Sequence, residues 1–325
     1  MVREMPFLMK SYRSLAGVDL LLVAGSGQLE DEWGGAWAFP YTIFKWTLLA
    51  RLAGARVVFI SVGAGPILER TSKILIRMSL SLSDYCSFRD QASRRWIESI
   101  SSRRECLVTP DLAHGLAIEG LSAERMVDMP VVGINPMPVY DKRYWHAANA
   151  EKYQDYVTKL ASFASILARK GYPLFFFSTQ PKDELVIEDI QSRMDEAGGE
   201  GDGKNILVKA NRSVEELIAS LRSADIVIAT RFHGILLSQL AGTPALAICK
   251  DSKQHELMKS MGQAAYALPF DSFDEKDLLH KFYRLRENRE REVVRLHGKQ
   301  EEFRHALDRQ YERVLSAFPE ADGAA

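Results

Sequence analysis

The sequence is short of cysteine: Cys86, Cys106 and Cys249, far apart, are the three in 325 residues. Such spacing supplies neither a disulfide framework nor a zinc pattern, and it fits a reducing cytoplasm. No apolar run approaches the ~20 residues that a membrane-spanning helix needs. The opening Met1-Val-Arg-Glu-Met-Pro6 lacks the layout of a secretory signal. Neither charge sign is in excess, with 42 Lys and Arg against 43 Asp and Glu. That balance argues against nucleic acid as a partner. Fixed-period repeats and long low-complexity tracts are missing too. What is there is a chain long enough for two ordinary domains.

Short apolar runs alternate with segments of helical spacing, the pattern of parallel α/β sheets. In the first part, residues 18–24, 56–62, 85–88 and 105–108 read as strands, and 41–52, 67–82 and 91–97 as helices. Each strand runs into a polar or glycine-bearing turn. Gly25 and Gly27 follow the first strand and Gly63 and Gly65 the second, where a missing side chain suits close backbone approach to a ligand or simply a tight loop. A dinucleotide fingerprint is excluded, because no third glycine and no immediate helix follow Gly25 and Gly27. Glu30, Asp31 and Glu32 suit either an acceptor hydroxyl or a solvated turn. Trp33 and Trp37 suit either a sugar ring or the edge of a domain.

Residues 123–130 read as a linker, after which the alternation restarts. Strands are predicted at 131–135, 174–178, 205–208, 226–229 and 245–249, and helices at 148–169, 183–197 and 255–261. Gly198, Gly199, Gly201 and Gly203 mark a loop, and Ser213 to Glu216 is a capping box opening a helix to Leu221. The tail from 273 to 315 carries one apolar stripe through Phe282, Leu285, Val293, Leu296, Phe303, Leu307 and Val314. Gly298 is a predicted break in it. The Arg and Glu between stripe positions form a solvated face or a partner surface. The predicted domains are 1–128 and 129–325.

The stretch 223–244 concentrates the chemistry. The buried strand 226–229 leads through Thr230, Arg231, Phe232 and His233 to a helix expected from Gly234 and stopped by Gly242 and Pro244. Ligands of open parallel sheets bind beyond the strands' carboxyl ends. A helix amino end there offers N–H groups and a positive dipole to an anion. Arg231 adds a planar cation and His233 a group that exchanges protons near neutral pH. The alternative is a capped junction with a surface Arg and a structural His.

Four segments together resemble the polysaccharide pyruvyl transferase family. They are Leu20 to Gly27, the Ser-x-Arg-Asp-x-x-Ser element from Ser87 to Ser93, Val108 to Asp111, and Thr230 to His233 followed by Ala241 to Pro244 and Asp251 to Lys253. The resemblance implies two Rossmann-like α/β domains facing across a cleft, as in GT-B glycosyltransferases, with the acceptor side in the first and the donor anion site in the second. It implies transfer of the pyruvyl group of phosphoenolpyruvate to sugar hydroxyls, giving a ketal, with no cofactor or metal. His233 and Arg231 match the family's catalytic pair, and Lys253 and Arg89 its basic residues. Gly234, Gly25, Gly27, Gly63 and Gly65 complete the expected substrate-binding set. Phe232 and Ser252 replace the family's usual Leu and Pro. The acceptor is a sugar or a lipid-linked oligosaccharide, the latter placing a cytoplasmic protein beside a membrane. The family's opening strand and Gly-Asn-x-Gly-Asp-Glu turn have no counterpart here; on this reading the chain starts inside the family's first helix. A nucleotide-sugar glycosyltransferase, with Asp251 or Glu256 on the ribose, and a non-catalytic member are the other two readings.

Overall fold

The computed structural model describes residues 4–101, 106–116, 129–145, 147–197, 206–209 and 213–316. Two compact units emerge. One takes the described residues up to 116 together with those from 302, and the other takes those between 117 and 301. The expected linker at 123–128, the glycines between 198 and 203, and positions 105, 205 and 317–325 lie outside the described residues.

The first unit contains α1 (Glu4–Ser14), β1 (Leu20–Ala24), α2 (Phe39–Leu52), β2 (Arg56–Val62), α3 (Arg70–Ser81), β3 (Tyr85–Phe88), α4 (Gln91–Glu98) and β4 (Leu107–Val108). The four strands are parallel and lie in chain order. Val57, Val58 and Phe59 of β2 are fully buried, as expected for a strand covered on both faces. Gly54, at φ 90°, ends α2 in a left-handed turn.

The second unit contains β5 (Val132–Asn135), α5 (Ala150–Arg169), β6 (Leu174–Phe177), α6 (Asp183–Ala197), β7 (Ile206–Lys209), α7 (Val214–Arg222), β8 (Ile226–Ala229), α8 (Phe232–Leu240), β9 (Ala245–Cys249), α9 (Ser252–Ser260), β10 (Ala267–Pro269) and α10 (Glu275–Glu287). Its six parallel strands run β10-β9-β8-β5-β6-β7. This is the doubly wound Rossmann order, and the strand order reverses between β5 and β8. Ser213 caps α7 as expected, accepting the N–H of Glu216 at 3.2 Å.

The tail differs from expectation. It forms two helices, α10 and then α11 (Arg289–Ser316), and Gly298 stays inside α11. The break falls at Asn288, whose side chain donates to the Arg284 carbonyl at 2.8 Å, a local bond that competes with helix continuation. Nor does the whole tail belong to the second unit. Gln310, buried, donates to Ser61 Oγ at 3.2 Å and accepts from the Ser87 hydroxyl, while Val314 packs on Val58 and Ile60. No helix among the described residues is long and apolar enough to cross a membrane.

Candidate functional site

The end of β8 meets the end of β5 at the point of reversal. The Thr230 N–H donates to the Asn135 carbonyl at 2.9 Å, and the Thr230 hydroxyl shares a 2.8 Å hydrogen bond with the buried Tyr156 Oη. Gln254 donates to the Thr230 carbonyl from α9. The helix then starts at Phe232, two residues earlier than expected, with Arg231 as its N-cap and no side chain capping it. His233 and Gly234 therefore sit inside the first turn, where N–H groups lack intrahelical acceptors. A Cβ on Gly234 would lie 2.1 Å from Asn135 Oδ1, so only glycine fits without moving that amide. Asn135 is itself held by a 2.8 Å hydrogen bond to the Phe177 carbonyl. The ends of β5, β6 and β8 and the start of α8 are thus tied together.

Arg231 is buried and ion-paired. Its Nε donates to Asp183 Oδ1 at 2.7 Å, and its Nη2 is 2.6 Å from the same oxygen. Asp183 is fully buried; its other oxygen accepts the N–H groups of Thr179 and Gln180, each at 3.1 Å. The guanidinium also lies 5.5 Å from the Tyr144 ring centre, within cation–π range. Arg231 is therefore a cation locked in place, with one edge committed to Asp183. His233 beside it is exposed.

The end of β9 brings Lys250 and Lys253 to the same edge of the sheet. Asp251 and Gln254 form a capping box on α9, and Asp251 Oδ1 accepts the Lys253 N–H at 2.9 Å. Asp251 is thus engaged in helix capping, and Lys253 is half-buried in the first turn. Lys250 Nζ donates to Tyr140 Oη at 2.6 Å and to Asp271 Oδ2 at 3.0 Å, while Lys152 Nζ donates to Asp271 Oδ1 at 2.8 Å. Hydrogen bonding from Lys152, then from Lys250 and Tyr140, outweighs burial and holds the Asp271 carboxyl down at about 2. Burial opposes the charged form of Lys250, but the bonds to Tyr140 and Asp271 prevail and raise its pKa. Tyr140 adopts φ 64°, a conformation rare for a bulky residue. Its loop also carries Tyr144 and Trp145, whose rings link Arg231 to Tyr140. Nothing local in the sequence signals that Tyr140, Lys152, Lys250 and Asp271 converge.

The remaining candidates lie in the first unit. Gly25, Gly63 and Gly65 are buried, and their N–H groups donate to Ile60, Ser26 and Leu29 carbonyls at 2.9, 2.6 and 3.0 Å. Gly27 is half-buried. Gly63 lies under Arg89, whose Nε would be 2.8 Å from a Cβ there. The Arg89 side chain is 6% exposed and pairs with Asp111 at 3.2 Å and Asp90 at 3.4 Å. The Ser-x-Arg-Asp-x-x-Ser element ties loops together: Ser87 Oγ accepts from Ser61 N–H, Asp90 caps α4 through Ser93 N–H, and Ser93 Oγ accepts from Ala64 N–H. Asp31 accepts the N–H groups of Leu68 and Glu69, so it closes the loop after β1. Trp37 is exposed, 5.5 Å from the Tyr41 ring. Among the described residues, no three His, Cys, Asp or Glu side chains are grouped to hold a metal ion.

Two Rossmann-like units, the second with an uncapped helix at its topological switch point, define a protein of the GT-B fold class. Solved structures agree at the level of fold. The 2-epimerase-like protein of Listeria monocytogenes, described as a UDP-N-acetylglucosamine 2-epimerase, matches with TM-score 0.62 at 13% identity, over 97% of this chain and 80% of that one. The UDP-GlcNAc 2-epimerase of Neisseria meningitidis, bound to UDP-GlcNAc, matches with TM-score 0.59 at 14% identity, over 95% and 81%. A UDP-forming trehalose-phosphate synthase of Burkholderia xenovorans matches with TM-score 0.57 at 11% identity, over 97% and 79%. No curated protein matches this chain. The family model for polysaccharide pyruvyl transferase matches residues 3–248, and the chain belongs to that family.

Proposed function

We propose that this family member transfers the pyruvyl group of phosphoenolpyruvate to two hydroxyls of a sugar, in a polysaccharide or its precursor, forming a ketal. The observation that carries this is the uncapped amino end of α8 at the switch point, with Arg231 immobilised by Asp183 and His233, two residues further on, exposed. A donor bearing phosphate and carboxylate suits the helix dipole together with Arg231, Lys253 and Lys250. His233 delivers a proton to the methylene carbon, C2 becomes electrophilic, and a sugar hydroxyl adds there and gives up its proton. Phosphate leaves, and the second hydroxyl closes the ketal. Net, one phosphoenolpyruvate and one diol give one ketal and one phosphate.

The UDP-GlcNAc held by the Neisseria structure favours a second reading, a nucleotide-sugar donor on the same fold. Calorimetry with phosphoenolpyruvate and with UDP-sugars separates them. Phosphoenolpyruvate binding, with phosphate release once a sugar acceptor is added, is expected. Saturable binding of a UDP-sugar with none of phosphoenolpyruvate would overturn the proposal.

A further inference from the structure

α1 is apolar on more of its circumference than it packs. Its inward stripe, Leu8 and Ser11, and Leu15 just past its end face the core of the first unit, with Ser11 and Leu15 buried. The adjoining stripe of Met5, Met9 and Tyr12, at helical spacing, is exposed at 66%, 53% and 45%. Tyr12 Oη donates to the Leu52 carbonyl at 3.4 Å, which brings the end of α2 alongside, and Leu52 is 64% exposed. Between the two helices lies an open groove of about 370 Å³ lined by Leu8, Met9, Tyr12, Leu49 and Leu52. Solvent-facing Leu and Met in one patch are unusual for a surface without a partner, and Met side chains adapt to irregular apolar occupants.

Charge decides the occupant. α1 and α2 carry Lys10, Arg13 and Lys45 against Glu4 as their sole acid, Arg51 being paired with Asp84 at 2.9 Å, in a chain whose overall charge is balanced. Lys10 and Arg13 follow Met9 and Tyr12 in sequence, so they rim the apolar stripe; both are exposed. Aromatic, Met and Leu side chains bordered by Lys and Arg match the boundary between acyl chains and anionic headgroups. We propose that the α1–α2 face of the first unit docks on an anionic lipid surface, with Met5, Met9, Tyr12 and Leu52 entering the acyl boundary. This inference is independent of the donor chemistry.

The test is co-sedimentation of the full chain with vesicles of phosphatidylcholine alone and of equal parts phosphatidylcholine and phosphatidylglycerol. Partition onto the anionic vesicles only, weakening as salt is added, is expected. Met9→Asp with Leu52→Asp, and separately Lys10→Glu with Arg13→Glu, each weaken it about tenfold or more. All four sites are exposed, and circular dichroism confirms the fold. No partition by the wild type, or equal partition by the Met9/Leu52 variant, overturns the proposal. A concentration-dependent dimer in light scattering, lost in that variant while vesicle binding is absent, would assign the face to a second copy instead.

Discussion

Arg231 and His233, at the amino end of α8, differ in burial and partners, so mutation can separate the roles the proposed reaction gives them. Arg231 shares a buried ion pair with Asp183. Arg231→Ala therefore leaves a buried carboxylate without its cation, a loss of about 3–5 kcal/mol in stability. Thermal melts should show a large drop for Arg231→Ala, partly recovered by adding Asp183→Asn; additive losses in the double variant would refute the pairing. His233 is exposed, so His233→Ala should melt like the wild type. Under the proposed reaction its kcat should fall roughly 10²–10⁴-fold, the range of acid–base catalysis, with donor affinity little changed. A wild-type rate would remove His233 from the mechanism.

Among the elements, α11 has a pH-dependent neighbour. His114 lies in the short turn after β4, buried, with its ring edge-on to Phe303 of α11 at 4.8 Å. Burial pushes its pKa down to about 4, against a smaller opposing pull from Asp111. The folded His114 is neutral, whereas the unfolded chain protonates it near pH 6.5. Between those values the unfolded state binds the extra proton, so stability falls as pH drops from about 6.5 toward 4, by roughly 3 kcal/mol at full extent. Urea melts at pH 7 and pH 5 should show this loss, and His114→Leu should show a smaller one. An equal loss in both would place the pH dependence elsewhere.

For the whole molecule, the return of residues 302–316 to the first unit has a measurable consequence. Ending the chain at residue 301 removes Gln310 and Val314, leaving the buried Ser61 and Ser87 hydroxyls without that partner. Hydrogen exchange should speed up in β2 and β3, while β5, β8 and β9 keep their protection. Uniform loss in both sheets would show that the two units do not respond separately. The chain's alternation of buried strands and helices was legible in the sequence, because parallel strands covered on both faces read as unbroken apolar runs. So was the Thr230–Gly234 junction, since a strand end, a basic pair and a glycine occur within a few residues. The start of α8 at Phe232 was not, because Arg231 caps through its backbone and carries no cap-type side chain. Tertiary structure alone decided that Asp183, 48 positions away, neutralises Arg231, that Asn135 demands glycine at 234, and that Tyr140, Lys152, Lys250 and Asp271 share one cluster. Those partners come from different strand ends, and which ends become neighbours depends on sheet order. Local periodicity specifies each element, whereas sheet order is set by how all the apolar faces are buried at once.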